Sequence, residues 1–230
     1  MCNRYVTPEE REIEDLWHVG RHNPGRWWDK DVFPRGKGAF IRRARDDVDY
    51  SRELVAGQWG LVPWFEDGLK LKYSTNNARS EELSWKRSYK EAWAKGKRCI
   101  IPATAFDEPY WGPYETQFQR CEWWRFRRKD GAPWGLAGIW STWHDKASGE
   151  EFETYSMLTV NADVHPIMGK MHRNEVDPKT KIPLPIEKQD KRSVISIELE
   201  DVDLWLTGTI EQVKPLLRPP AMEVLDAGPA

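Results

Sequence analysis

Short apolar or alternating segments, separated by glycine and proline residues, recur along this 230-residue chain and limit the folds that it can adopt. Short segments bounded by glycine and proline are typical of β-strands, because helices need longer periodic runs. The sequence therefore predicts strands in the regions 39–41, 58–62, 98–103, 119–128, 135–143, 154–160 and 193–197. The Asp130-Gly131 pair, between the apolar runs 123–128 and 134–140, also predicts a hairpin turn.

Helical patterns are fewer. The sequence predicts helices in the regions 8–20, 84–94 and 202–206, and a short helix or turn over 162–171. This mixture indicates the α+β class, a single domain with mostly antiparallel β-sheet and a few flanking helices. Residues 1–217 are expected to form the domain, and the proline-rich residues 218–230 a C-terminal tail that is partly disordered.

Charge and cysteine content exclude several classes of protein. The 35 basic and 37 acidic residues nearly cancel, so a nucleic-acid surface would require local clusters such as the basic runs 86–98 and 120–129. A solvated helix or hairpin face would produce the same runs. Three cysteines without a CxxC pair argue against a disulfide framework or a zinc site, and no metal or cofactor is expected.

The sequence contains neither a signal-peptide pattern nor an apolar run long enough to cross a membrane. We therefore expect no membrane partner. The expected location is the cytoplasm, in association with the nucleoid when the protein is bound to DNA, or the nucleus if the source is eukaryotic.

Cys2 follows the initiator methionine directly, and its side chain is small enough for Met1 to be removed. Removal would give a 1,2-aminothiol, with an amine pKa of about 8 and a thiol pKa of about 8.5 on one residue. Cys99 and Cys121 cannot offer both nucleophiles, and we expect both to be inert core residues. A cysteine at the second position also occurs by chance, so position alone leaves its function open.

Six short segments, taken in order, resemble the SOS response-associated peptidase (SRAP) family of abasic-site-processing proteins. They are Met-Cys-Asn-Arg-Tyr at 1–5, Trp-Gly-Leu-Val-Pro-Trp at 59–64, Asn-Ala-Arg-Ser-Glu at 77–81, the stretch 98–108, Ala-Gly-Ile-Trp at 137–140, and the stretch 159–172. The resemblance implies a barrel-like SRAP-type fold.

The same resemblance implies that Cys2, freed of Met1, forms a covalent thiazolidine cross-link with an abasic site in single-stranded DNA and so shields the lesion. It also implies an associated autoproteolytic peptidase or lyase-type activity, largely limited to a single turnover. The expected partner is single-stranded DNA that contains abasic sites, and the expected oligomeric state is a monomer.

Further catalytic roles come from the resemblance. It assigns general acid/base catalysis to Glu108 and contact with the sugar or orientation of Cys2 to Asn77. The family's histidine corresponds either to His172, which preserves more of the local order, or to His165, whose spacing to Met168 fits better; we favour His172. A histidine with the ordinary pKa of about 6.5 could protonate the sugar oxygen.

Four residues are expected to bind DNA. Arg79 faces the same side of an extended segment as Asn77 and could hold a phosphate, and Arg4 could do so next to Cys2. Trp64, with the turn at Pro63, could wedge between or stack on nucleotides beside the lesion. A capping turn before the next helix is the alternative interpretation of the segment 77–81.

Two other functions fit parts of the pattern. In an N-terminal-nucleophile cysteine amidohydrolase, the Cys2 thiol would attack an amide and its own amine would act as base. This explains nearby arginine and asparagine residues, but not the basic runs or the segment 59–64. In a non-covalent single-stranded-DNA-binding module, Cys2 would be incidental.

Overall fold

The computed structural model describes residues 2–20, 27–45 and 51–230, and Met1 therefore lies outside the described residues. The described strands are β1 (Tyr5–Val6), β2 (Asp31–Val32), β3 (Lys37–Arg43), β4 (Arg52–Trp59), β5 (Asn77–Arg79), β6 (Arg98–Ala103), β7 (Ala105–Tyr110), β8 (Glu122–Arg128), β9 (Trp134–His144), β10 (Glu151–Asn161), β11 (Arg192–Val194) and β12 (Leu225–Pro229). The helices are α1 (Glu10–Trp17), α2 (Lys90–Ala94), α3 (Val202–Thr207) and α4 (Ile210–Val213).

Five of the strands close into a barrel. Strand β3 pairs antiparallel with β4 and β6, β6 pairs with β9, and β9 pairs with β10. Strand β10 then runs parallel to β4 and completes the ring. Farther along β10, β5 is added in parallel and β11 in antiparallel orientation. The expected α+β fold, with a barrel-like and mostly antiparallel sheet, is confirmed.

Alternate side chains of the barrel strands belong to two different cores, because successive residues of a strand point to opposite faces. Ile41 and Ile100 pack on the face that carries the helices, where Trp17 and Trp205 cover them. The intervening residues fill the barrel interior, among them Phe40, Cys99, Ile101, Leu136 and Tyr155. The second core continues beyond the barrel and also includes Cys2.

The second sheet is antiparallel throughout and has the strand order β12-β8-β7-β1-β2. Strand β7 begins two residues after β6 ends, so the chain passes directly from the barrel into this sheet. Strand β1 pairs with β7 through Tyr5 opposite Phe106, which brings the N-terminal segment next to the strand that carries Glu108.

The hairpin predicted at Asp130-Gly131 is wrong. A turn does form there, with Gly131 at φ 76°, but β8 pairs with β7 and β12 whereas β9 pairs with β6 and β10. The two strands that flank the turn therefore belong to different sheets. Local turn chemistry specifies a change of direction, whereas pairing partners depend on long-range packing.

Three segments differ from the sequence-based boundaries. The tail expected to be partly disordered contains β12, which pairs along β8 and buries Leu225. In the region 84–94 only Lys90–Ala94 is α-helical. Strand β4 ends at Trp59, because Gly60 adopts φ 148° and turns the chain away. Among the described residues, no helix combines the length and apolarity needed to cross a bilayer.

Candidate active site

Cys2 is completely buried next to strand β1. Its thiol donates a hydrogen bond to the Arg4 carbonyl oxygen at 3.3 Å. Burial raises the pKa of the thiol well above its ordinary value, and the nearby charge of Glu108 raises it further. The Cys2 carbonyl oxygen accepts from Asn77 Nδ2 at 2.7 Å and from Asn76 Nδ2 at 3.3 Å. Two side-chain amides therefore fix the backbone of the candidate nucleophile.

The two asparagines are themselves held by the barrel. The Asn76 carbonyl accepts from the indole nitrogen of Trp59 at 2.8 Å, and the Asn77 carbonyl accepts from the Tyr89 hydroxyl at 3.1 Å. Asn77 also lies in β5, opposite Met157 of β10. The sequence prediction named Asn77 but missed Asn76; the adjacent asparagines were the signal that could have identified both.

Glu108 and His172 meet beside Cys2. Glu108 is buried in β7, and its Oε2 atom lies 3.4 Å from Nε2 of His172. Burial raises the pKa of Glu108 to about 7, with a further contribution from the charge of Asp107. Burial lowers the pKa of His172 to about 3, and the charge of Lys191 acts in the same direction. At neutral pH the imidazole is therefore uncharged, whereas both forms of the carboxyl are populated.

Lys191 holds the backbone of His172. Its ammonium group donates to the His172 carbonyl oxygen at 2.8 Å and to Asn174 Oδ1 at 3.1 Å. The His172 amide donates to the Pro109 carbonyl at 2.7 Å, and His172 adopts φ 63°, which is uncommon for a residue with a side chain. Burial lowers the pKa of Lys191 to about 8. No sequence motif had indicated the contact between Lys191 and His172, because the two residues are far apart in the sequence.

The other candidate histidine, His165, has a different environment. Its Nδ1 atom accepts from the amides of Ile167 and Met168 at 3.3 and 3.0 Å. Its Nε2 atom lies 3.1 Å from the Pro220 carbonyl oxygen. His165 thus connects a turn to the C-terminal segment, and His172 is the histidine that lies against Glu108.

Arg4 belongs to a network of charges. It donates to Asp31 Oδ1 at 2.7 Å and to Asp107 Oδ2 at 3.0 Å, and Arg125 donates to both oxygens of Asp107 at 2.8 and 2.9 Å. Asp107 is buried, so these two guanidinium groups compensate its charge. Arg4 therefore has a structural role whether or not it also contacts a ligand. The sequence prediction had not identified Asp107 or Arg125 as its neighbours.

The remaining DNA-binding candidates differ in exposure. Arg79 pairs with Asp190 at 2.6 Å, and its side chain is 38% exposed. Trp64 is 64% exposed and contacts Phe65 edge to face, with the ring centroids 5.8 Å apart. Pro63 is buried, so it can support the loop but offers little surface to a ligand.

A cavity of about 320 Å³ opens beside Asn76. Trp59 and Asn76 line one part of it, and Arg35 and Lys72 contribute positive charge. The cavity therefore reaches one of the two asparagines that hold the Cys2 backbone. Within the parts of the chain that the structure describes, no group of three or more histidine, cysteine or acidic side chains is arranged to hold a metal ion.

Curated relatives of this chain include several abasic site processing proteins. The chain is 33% identical to the abasic site processing protein HMCES of Gallus gallus over 183 residues, which cover 69% of this chain and 52% of that protein. It is 26% identical to the abasic site processing protein YoaM of Bacillus subtilis (strain 168) over 115 residues, 50% of this chain and 47% of that protein. The chain thus spans about half the length of these relatives.

Solved structures and a family model extend the similarity over the whole fold. A protein from Bordetella bronchiseptica, 31% identical, superposes with a TM-score of 0.81 over 100% of this chain and 99% of its own. A protein from Bacteroides thetaiotaomicron, 21% identical, shares the fold with a TM-score of 0.70 over 98% of this chain and 90% of its own. The family model for SOS response associated peptidase (SRAP) matches residues 1–229, which confirms the resemblance seen in the six short segments. The chain therefore belongs to the SRAP family.

Proposed function

We propose that this protein recognises an abasic site in single-stranded DNA and becomes covalently attached to it through Cys2 after loss of Met1. The observation that carries the proposal is the contact between the buried Glu108 carboxyl and the His172 imidazole, which supplies a proton donor and an uncharged imidazole beside the thiol. Several relatives are named abasic site processing proteins, which supports the same substrate.

Loss of Met1 is the first step. While Met1 is attached, the nitrogen of Cys2 is an amide and has little nucleophilicity. Hydrolysis of the bond between Met1 and Cys2 consumes one water molecule and releases the primary amine. We include this cleavage, as an autoproteolytic reaction, in the proposed peptidase activity.

The second step joins the protein to the sugar. The Cys2 amine attacks the aldehyde carbon of the ring-opened deoxyribose, and the resulting carbinolamine loses water to form an imine. The thiol sulfur then adds to the imine carbon, while the thiol proton is transferred to the nitrogen. One water molecule is released overall, and the product is a five-membered thiazolidine. Because the protein is consumed, the reaction is largely limited to one turnover.

Glu108 is the proton donor and acceptor in this scheme. With its pKa raised to about 7, the carboxyl can protonate the departing hydroxyl group and later accept a proton at the same pH. Its ionised form, also populated near pH 7, would accept the carbon-bound proton in a lyase-type elimination at the imine stage. His172 is uncharged at neutral pH, so it would orient the sugar through a hydrogen bond and not through the positive charge of an imidazolium.

The remaining residues bind and position the strand. Asn77 keeps the Cys2 backbone fixed while the amine reacts. Arg4 and Arg79 would each contact a phosphate next to the lesion. Their guanidinium groups would at the same time keep their contacts with acidic side chains. Trp64 would stack on an unpaired base, with Pro63 supporting its loop from below. We propose that one monomer suffices for binding.

A denaturing gel tests the proposal. Protein lacking Met1 is mixed with single-stranded DNA that carries one abasic site, and we expect a slower band that resists heat and detergent. Cys2→Ala and DNA with intact bases should give no such band. Cys121→Ala, which changes a partly exposed cysteine elsewhere, should react like the wild type.

Two outcomes would contradict the proposal. Equal cross-linking by a form that retains Met1 would exclude the aminothiol chemistry. Turnover of amide substrates without any adduct would favour the amidohydrolase, although the raised pKa of the Cys2 thiol argues against a reactive thiolate. A salt-sensitive complex that never becomes covalent would indicate the non-covalent binding module.

A further inference from the structure

An exposed aromatic and basic surface extends from Trp64, and its other residues have no role in the scheme above. We call it the Trp85 surface and define it by Trp64, Phe65, Tyr73, Trp85 and Arg87. Trp85 is 65% exposed, and its indole nitrogen donates to the Glu81 carbonyl at 3.2 Å, which fixes the orientation of the ring. A large aromatic side chain held in this way presents a flat face to solvent.

The loop that carries Trp64 and the segment that carries Trp85 are joined by Arg87. The guanidinium carbon of Arg87 lies 4.0 Å from the centre of the Phe65 ring, and Phe65 packs against Trp64. The Tyr73 hydroxyl lies near both Ser88 and the charge of Arg87. These contacts join the loop that carries Trp64 to the segment in which Trp85 lies two residues before Arg87.

The same surface adjoins the residues that hold Cys2. Tyr89 follows the exposed segment and donates its hydroxyl hydrogen to the Asn77 carbonyl at 3.1 Å. On the other side, Lys86 pairs with Glu82, which also lies 3.7 Å from Arg79. Arg79, a proposed phosphate contact, and the segment that carries Trp85 are thus connected through Glu82.

The charge of this region suits a polyanion. Lys70, Lys72, Lys86, Arg87 and Lys90 are all exposed. Arg87 forms no ion pair with any carboxylate among the described residues. The neighbouring acids are engaged: Glu81 with Arg192, Glu82 with Lys86, and Glu66 with the Tyr73 hydroxyl.

We propose that the Trp85 surface binds the unpaired nucleotides that flank the lesion, with bases stacking on Trp85 and Trp64 and a phosphate contacting Arg87. Aromatic faces can stack only on bases that are not enclosed in a duplex, whereas cations bind the backbone of either form. The surface therefore selects single-stranded nucleic acid. The identity of the strand rests on the proposed function, whereas the binding of unpaired nucleotides by Trp85 and Arg87 can be measured separately.

Fluorescence anisotropy with a labelled 15-nucleotide single strand of intact bases tests this binding without any covalent step. Trp85→Ala should weaken the affinity about tenfold, the loss of one stacked base. Arg87→Ala should weaken it and also reduce the slope of log K against log salt concentration by about 0.7. Trp27→Ala is the matched control, because Trp27 is 62% exposed, close to the exposure of Trp85, but Glu9 and Glu10 lie close to it.

An unchanged affinity in Trp85→Ala, or an equal loss of affinity in Trp27→Ala, would overturn the proposal. The Trp85 surface would then be a candidate for binding a protein partner instead. An equal loss for duplex DNA of the same sequence would overturn stacking as its basis. Failure of the proposed function looks different. In that case the wild type would form no adduct with abasic DNA, although its affinity for intact single strands would still depend on Trp85.

Discussion

Glu108 Oε2 lies 3.4 Å from His172 Nε2, and burial raises the pKa of the carboxyl above that of the imidazole. The pKa of the carboxyl rises to about 7 and that of the imidazole falls to about 3, so the carboxyl holds a proton in preference to the imidazole. The ordinary order of the two groups is thereby inverted. Desolvation explains the inversion, because it disfavours the charged form of both groups.

The first prediction concerns stability against pH. The pKa of Glu108 is raised from 4.5 in the unfolded chain to about 7 in the fold, so the folded state binds the additional proton and stability decreases as the pH rises through this window. Glu108→Gln removes this penalty. We expect its free energy of unfolding, relative to wild type, to be higher at pH 8 than at pH 5 by up to about 3 kcal/mol.

Urea denaturation at the two pH values measures this difference. Glu115→Gln, a change to an exposed carboxylate, is the control and should shift neither value. An equal pH dependence in wild type and Glu108→Gln would mean that the buried carboxyl does not titrate in this range.

The second prediction concerns the rate of cross-linking. Without a titratable carboxyl, Glu108→Gln should react about 100-fold more slowly or worse, the usual contribution of general acid/base catalysis. The limb of the wild-type pH–rate profile near pH 7 should also disappear. Single-turnover gels over pH 5 to 9 measure both effects, and a variant that kept this limb would exclude Glu108 as its source.

The third prediction concerns Lys191. Its positive charge lowers the pKa of His172, so Lys191→Met should raise that pKa. NMR titration of the His172 imidazole measures the change, and the exposed Lys188→Met serves as the control. A constant or lower pKa of His172 in Lys191→Met would contradict the electrostatic part of this contact. Cross-linking should slow as well, because the His172 carbonyl loses its donor.

The fourth prediction concerns Asn77. Both Asn77→Ala and Asn77→Asp lose the amide donor to the Cys2 carbonyl, so both should slow cross-linking. The expected loss of stability is only about 1 kcal/mol, the usual value of one hydrogen bond. Single-turnover rates and urea titrations separate the two effects. A slow Asn77→Ala beside a normal Asn77→Asp would show that the size of the side chain, and not its donor, is required.

The fifth prediction concerns the barrel interior. A methyl group at Gly38 would overlap the hydroxyl oxygens of both Tyr5 and Tyr155, which hydrogen-bond to each other. Gly38→Ala should therefore cost about 1–3 kcal/mol or more, as overpacking does. The cost should decrease in a Tyr5→Phe, Tyr155→Phe background, and Gly68→Ala, at an open position, should be neutral. Thermal unfolding of the set measures these differences; an unchanged cost in the double-phenylalanine background would place the strain elsewhere.

The sequence predicted most of the strands because alternation and turn residues are local properties. It could not predict that β8 and β9 separate at Asp130-Gly131, since the choice of partner depends on distant strands. At the candidate site, the family resemblance located Glu108 and His172. Their pKa values and the contact with Lys191 depend on burial and on neighbours that only the fold assembles.

The burial of Cys2 has a consequence for the lifetime of the protein. Oxidants and small electrophiles consume cysteines through accessible thiolates, and Cys2 is neither accessible nor readily deprotonated. Cys121, expected from the sequence to be an inert core residue, is instead partly exposed and would be modified first. In the proposed single-turnover reaction the nucleophile must not be lost to side reactions beforehand, and the closed environment of Cys2 protects its thiol from them.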